Sequence, residues 1–207
     1  MKKKKRFAVI LLTALLFLLW TGVSGFGEEK KKEPSKEQLE MYKKWLSLTS
    51  PGENHKHLQY FVGDWESVQK AWQAPGAEPT VRYQDIHVES LYEGRFTRAA
   101  IRFRGKIMGM VAEGIVITGY DSYKKEFMSL TYGSMGTRFS INKGQLDKTG
   151  KTRIDWGESE NMFTGKKHKT KGVTLIQGPD KYKYDYYRVD EEGKEVKVME
   201  IIYTRKK

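Results

Sequence analysis

The chain has 207 residues, a formal net charge of +12 and no cysteine. That length suits one domain with accessory segments, and 38% hydrophobic with 31% charged residues fits a folded, soluble domain better than a disordered or multi-span membrane chain. The lack of cysteine excludes disulfides, zinc–thiolate and iron–sulfur sites, c-type haem attachment, a cysteine nucleophile and a lipoprotein anchor.

Lys2 to Arg6 form a basic stretch, Phe7 to Trp20 an apolar run broken only by Thr13, and Thr21 to Gly25 a small and polar tail. Residues 1–27 thus have the layout of a secretory signal peptide, with small-x-small cleavage sites after Gly25 or Gly27. The run is shorter than the ~20 apolar residues of a bilayer span. Neither site carries the favoured alanines, so an uncleaved N-terminal anchor is the alternative. Either way the sequence addresses the domain to the periplasm or the extracellular space. Loss of residues 1–27 removes five basic and no acidic residues and leaves a net charge of +7. At that address a basic surface meets anionic lipid or envelope polymer, and no nucleic-acid partner is expected.

Residues 28–54 read as a charged linker followed by an amphipathic helix. Ser35 with Gln38 makes a capping-box pattern. Leu39, Tyr42, Trp45, Leu46 and Leu48 recur near helical spacing until Pro51-Gly52 ends the run. That stripe packs on the main domain or, alternatively, binds a partner. A further helical turn is expected over Glu53 to Tyr60.

From residue 55 to 207 the texture is alternating apolar and polar residues cut by glycine-bearing turns. Strands are expected at Val62–Ala74, Thr80–Tyr92, Arg95–Arg104, Val111–Tyr120, Phe127–Gly133, Thr137–Asn142, Thr152–Glu158, Lys167–Gln177, Tyr182–Val189 and Val196–Thr204. Glu93-Gly94, Asp147 to Gly150 and Glu191 to Gly193 are tight turns. No long amphipathic helix interrupts the series, so a parallel α/β sheet is not expected. Sequential hairpins of this number must close to hide their edges. The expected fold is all-β, an antiparallel up-and-down barrel of about ten strands with a short N-terminal helix.

An ordered set of motifs runs through this region. His57-Leu58 and Phe61-Val62-Gly63-Asp64-Trp65 open the first strand, and Gly94-Arg95-Phe96 a later one. Gly109 to Gly114, Gly119-Tyr120-Asp121, Ser134 to Thr137, Thr164-Gly165 and the final Lys197 to Arg205 follow. The series resembles the bacterial family of uncharacterised proteins called DUF1579, over roughly residues 55–205. The resemblance implies a calycin-type, lipocalin-like barrel and supplies no catalytic residues or cofactor. The chain departs from related haem-binding nitrobindin-like barrels in having no histidine after His168. Gly63-Asp64-Trp65 is also similar to the lipocalin Gly-x-Trp signature, in which an arginine from the last strand crosses the tryptophan. Gly63, Trp65 and Arg205 are therefore expected to be structural, with a cation–π pair between the last two.

The candidate ligand contacts are Arg95, Tyr120, Asp121 and Glu200. Arg95 shares strand parity with Thr97, Ala99 and Ile101 and is expected to face inward, where it needs a partner such as Glu200, Glu89 or Glu113. Such an arginine is structural or binds a ligand carboxylate. Tyr120 and Asp121 stand at the barrel mouth if they bind, or in an Asx-turn if Asp121 is structural. No metal site is expected, because His55, His57, His87 and His168 lack ligand spacing and read as solvated or hydrogen-bonded. No G-x-S-x-G, S-x-x-K or phosphate-binding loop is present. Three functions remain. The first is a non-catalytic barrel for a small apolar or aromatic ligand. The second is an envelope-associated protein using its N-terminal helix or basic faces, such as Lys166, Lys167, Lys169 and Lys171. The third is a lumenal enzyme built on Arg95, Tyr120 and Asp121.

Overall fold

The computed structural model describes residues 33–162, 164–190 and 192–207. The export segment read in residues 1–27 lies outside the described residues. The described residues divide into two units between Met41 and Tyr42. In the first, Ser35 and Gln38 form the expected capping box: Ser35 N–H donates to Gln38 Oε1 at 2.8 Å, and Gln38 N–H donates to Ser35 Oγ at 3.2 Å. Helix α1 (Lys36–Thr49) starts there.

The second unit holds the end of α1, a short helix α2 (Glu53–Gln59) and ten strands. These are β1 (Gly63–Ala71), β2 (Thr80–Leu91), β3 (Phe96–Ile107), β4 (Met110–Asp121) and β5 (Glu126–Gly133). They continue as β6 (Ser140–Leu146), β7 (Thr152–Glu160), β8 (Lys167–Gly178), β9 (Lys181–Val189) and β10 (Glu195–Arg205). Tyr42 and Trp45 stack on each other but stay 48% exposed, so these two rings are not packed on the barrel as expected. The end of α1 is held instead at its terminal carbonyl, where Thr49 accepts a bond from Arg95 Nε at 3.1 Å.

Each strand pairs antiparallel with its sequence neighbours, and β1 pairs with β10 to close the barrel. The strand that differs most from expectation is β6, which starts three residues later and runs to Leu146. Its inward positions include Asn142 and Gly144, so no apolar alternation marks it. Helix α2 covers the end where β3 begins and β4 finishes, with Leu58 fully buried beneath it.

Trp65, Ile86, Val88, Tyr182, Ile201 and Tyr203 form the core at that end, with Tyr60 and Phe61 packed against them. Tyr182 and Tyr203 stack 4.1 Å apart, and Trp65 meets the edge of Tyr182 at 4.8 Å. Across the closing seam Trp65 stands opposite Arg205. The guanidinium lies 4.1 Å from the Trp65 ring centroid and donates to the carbonyls of Tyr60 and Val62, both at 2.7 Å. The expected cation–π pair is therefore present. Gly63 makes room for it: its φ is +119°, and a Cβ there would lie 2.9 Å from Arg205 Nη1.

Gly63→Ala adds backbone strain to this collision and is expected to cost about 2–3 kcal/mol in urea denaturation. Gly136→Ala, with open space around it and no positive φ, should change stability by under about 0.5 kcal/mol. Equal effects would show that the Gly63 backbone is not what seats Arg205.

Candidate functional site

Above the core the barrel encloses a cavity of about 340 Å³. Its wall is two-faced because inward positions differ around the ring. On one side β9, β10, β2 and β3 contribute Tyr182, Tyr184, Tyr186 and Tyr203 with Ile86, Val88, Ile101 and Met199, and one threonine, Thr97. The side from β4 to β8 contributes Thr118, Ser129, Thr131, Ser140, Asn142 and Thr174 with a single apolar residue, Val116, plus one charged pair, Arg153 and Asp155. The volume lies within the ~300–1,000 Å³ range of small-molecule sites.

Arg153 and Asp155 sit two apart on β7, so the pleat turns both inward. They are 9% and 5% exposed. Arg153 Nε donates to Asp155 Oδ2 at 3.0 Å, and the guanidinium lies 5.4 Å from the Phe127 ring centroid. Asp155 Oδ1 is buried with no hydrogen-bond partner, against Gly144. Space for these polar groups comes from inward glycines on neighbouring strands. A Cβ at Gly144 would strike Asp155, one at Gly157 would strike Asn142, and one at Gly172 would come within 2.6 Å of the Tyr184 hydroxyl.

The charged pair shapes the groups around it. Burial raises the Tyr184 phenol, reinforced by the Asp155 carboxylate, so it stays protonated. Burial also raises Tyr182 and Tyr203. At the floor, His57 of α2 meets Phe61 and Phe127 edge-on, with ring centroids 5.4 and 5.6 Å away. Burial and then the Arg153 charge lower its pKa to about 4, against the weaker opposing pull of the Gly150 backbone and Asp147. His57 is therefore neutral at pH 7, and its Nε2 is buried without a partner.

The residues named from sequence lie elsewhere. Arg95 does not face inward. It precedes β3 in a turn where Tyr92, Glu93 and Gly94 have positive φ, so strand parity does not reach it. Its partners are Thr49, Tyr92 and Glu93. Glu89, Glu113 and Glu200 point outward to Arg98, Arg102 and Lys197. Tyr120 and Asp121 stand at the α2 end rather than at an open mouth. Tyr120 packs edge-on against His55 and Phe127, and Asp121 Oδ1 accepts the Tyr123 and Lys124 amides, the Asx-turn arrangement. His55 is buried, with its Nδ1 accepting the Gly52 N–H, and His87 bonds Asp64. Neither His55 nor His57 is solvated. Among the described residues no three His, Asp or Glu side chains gather as a metal site.

Sequence reasoning missed Arg153 and Asp155. The signal was present, an Arg-x-Asp on a strand, but β7 is inverted. Ile154 and Trp156 face outward, with Trp156 46% exposed. A rule that sends apolar residues inward therefore picks the wrong face.

The basic stretch 166–171 runs beside acidic residues. Lys167 and Lys169 stand opposite Glu160 and Glu158, and Lys171 binds Glu195 at 2.8 Å beside Trp156 and Tyr187. A wider depression of about 1110 Å³ beside it carries charges of both signs, including Glu158, Lys167, Arg188 and Glu195. It has the character of a solvated surface.

A family model described as a protein of unknown function, DUF1579, matches residues 50–205. Among solved structures, the crystal structure of Rv2717c from M. tuberculosis matches with a TM-score of 0.54 at 13% identity. The match covers 75% of this chain and 99% of that one, and at this identity it speaks to the fold alone. No curated protein matches.

The state of His57 has a measurable consequence. The unfolded histidine binds a proton near pH 6.5, whereas the folded one resists it down to about pH 4. Stability should therefore fall as pH drops from 6.5 toward 4. His57→Gln should flatten this slope in urea midpoints taken at pH 7 and 4.5. An unchanged slope would mean that His57 titrates normally in the fold.

Proposed function

The chain belongs to the DUF1579 family of unknown function, and from the lumen itself we propose that it is an exported, non-catalytic barrel that binds a small, largely aromatic or apolar ligand. The observation that carries this is the two-faced cavity, a tyrosine wall facing a hydroxyl wall around one buried charge pair. A barrel that needed only stability would fill its interior with apolar side chains. Here much of the inward wall is polar, and glycines on β6, β7 and β8 make the room that Asp155, Asn142 and Tyr184 occupy. The non-catalytic reading rests on the bonding of the wall. Among the described lining residues no serine or threonine hydroxyl is bonded to a histidine or carboxylate that could act as its base; Thr118 and Ser129 bond each other at 3.2 Å. Export is supported by the basic-then-apolar sequence from Lys2 to Trp20.

A second reading, an envelope contact, is favoured by the rim opposite α2. At the β3–β4 tip Met108 is 88% exposed and Met110 51%. The β5–β6 loop adds Met135 and Phe139, the latter 69% exposed. Ser134 ties that loop to β4 through Glu113 N–H and the Val111 carbonyl. Lys106 and Arg138 flank this apolar edge, a combination suited to an anionic lipid surface.

Native mass spectrometry of the protein, purified gently from its own host, tests the first reading. A reproducible extra mass lost on denaturation is expected, and Ala99→Phe, which fills the lumen, should abolish it. A clean apo mass that stays unshifted against a metabolite and lipid extract would overturn lumen binding.

For the second reading, the protein should sediment with phosphatidylglycerol vesicles at low salt, and Met108→Ser with Phe139→Ser should lose most of that binding. Sedimentation that ignores both changes would remove the rim from consideration.

A further inference from the structure

The lumen holds an arginine whose hydrogen-bonding capacity is only partly used. Arg153 is nine-tenths buried, yet its only hydrogen bond is the one from Nε to Asp155. Among the described residues nothing accepts from its two terminal nitrogens. Neither nitrogen is among the buried atoms lacking a partner, so both retain accessible surface. They therefore form a free, planar pair of donors at the cavity floor.

The charge of that guanidinium is already balanced. Asp155 lies 3.0 Å from it with its side chain 7% exposed. His57, the other titratable group near the arginine, is neutral at pH 7. Tyr184, close enough to feel both members of the pair, is a protonated phenol. The floor is thus strongly polar and carries no net charge.

We infer that the lumen selects an uncharged aromatic ligand bearing a carbonyl-type acceptor, with that oxygen on the terminal nitrogens of Arg153 and its ring against Tyr184 and Tyr186. This rests on the lumen-binding reading above and specifies its ligand class. A neutral carbonyl satisfies the buried donors without bringing a second charge into a poorly solvated space. A carboxylate would gain from the same fork, but it would stand beside Asp155 and lose its own hydration with no unmatched cation to offset the loss. A plain hydrocarbon would leave the donors unpaired. The tyrosine wall supplies the stacking surface: Tyr184 and Tyr186 lie 6.3 Å apart with their rings 26° from parallel.

Three probes of one shape separate these cases: 2-naphthamide, 2-naphthoate and 2-methylnaphthalene, titrated calorimetrically into the full chain at pH 7. The amide should bind at least about tenfold more tightly than either of the others. Asp155→Asn leaves the Arg153 charge unmatched and should reverse the order of amide and carboxylate. Because that variant strands a buried cation, a second one, Arg153→Met with Asp155→Leu, removes the pair together. It should keep methylnaphthalene binding and lose the preference for the amide. If methylnaphthalene binds wild type as well as the amide, or naphthoate binds best, the carbonyl inference fails while lumen binding stands. If no probe binds, both fail.

Discussion

The barrel depends on what happens where its last strand meets its first. A ten-strand meander has two free edges until β10 finds β1, and every other strand pairing is local in sequence. At that seam Arg205 covers the face of the buried Trp65 and ties down the carbonyls of Tyr60 and Val62. Charge-assisted bonds of this kind contribute about 1.5–3 kcal/mol each, and the ring contact adds up to ~2 kcal/mol when desolvated. The same contacts fix the segment entering β1. Trp65 Nε1 donates to the Phe61 carbonyl, and the Tyr60 hydroxyl lies 2.7 Å from the Gly178 carbonyl and 3.0 Å from that of Lys181 at the β8–β9 turn, its one proton serving either. Closing the ring and seating its floor are therefore one event, and Gly63 is the backbone concession that permits both.

With one end sealed by aromatic packing, the rest of the interior is released from the duty of forming a core. The inward positions show this. Ser67, Gln84 and Gln69 form a buried chain of bonds at 2.8 and 2.6 Å, and Thr118 bonds Ser129 across neighbouring strands. Such groups are tolerated only because they satisfy one another. Arg153 and Asp155 extend the same logic to charge: each neutralises the other, and each would be costly alone. What remains after this internal pairing is the set of groups that still faces the cavity, and that set gives the lumen its chemical character.

The outer surface and the two helices carry less information. Arg104 bridges Glu66 and Asp85, and Lys206 also reaches Asp85, on an exposed face where such pairs are weakly stabilising. The exposed Tyr42 and Trp45 of α1 and the methionines of the rim are apolar surfaces that solvent alone does not explain.

The barrel was legible in the sequence because its causes are local. Period-two alternation, glycine-bearing turns and short connections act between neighbours, and up-and-down pairing follows from them. Trp65 and Arg205 were also legible, since the ends of the first and last strands must meet once the ring closes. The lumen was not. Arg95 satisfies strand parity on paper, but the positive-φ turn before β3 resets it. On β7, Arg153 and Asp155 face inward while Ile154 and Trp156 face out, because the vacancies left by Gly144, Gly157 and Gly172 come from strands β6, β7 and β8. No single strand encodes that space. The sequence alone determined that this chain forms a closed antiparallel barrel with a Trp–Arg seam. Only the tertiary structure decided which side chains line the cavity, because an inward polar residue is stable only where partners and room from other strands receive it.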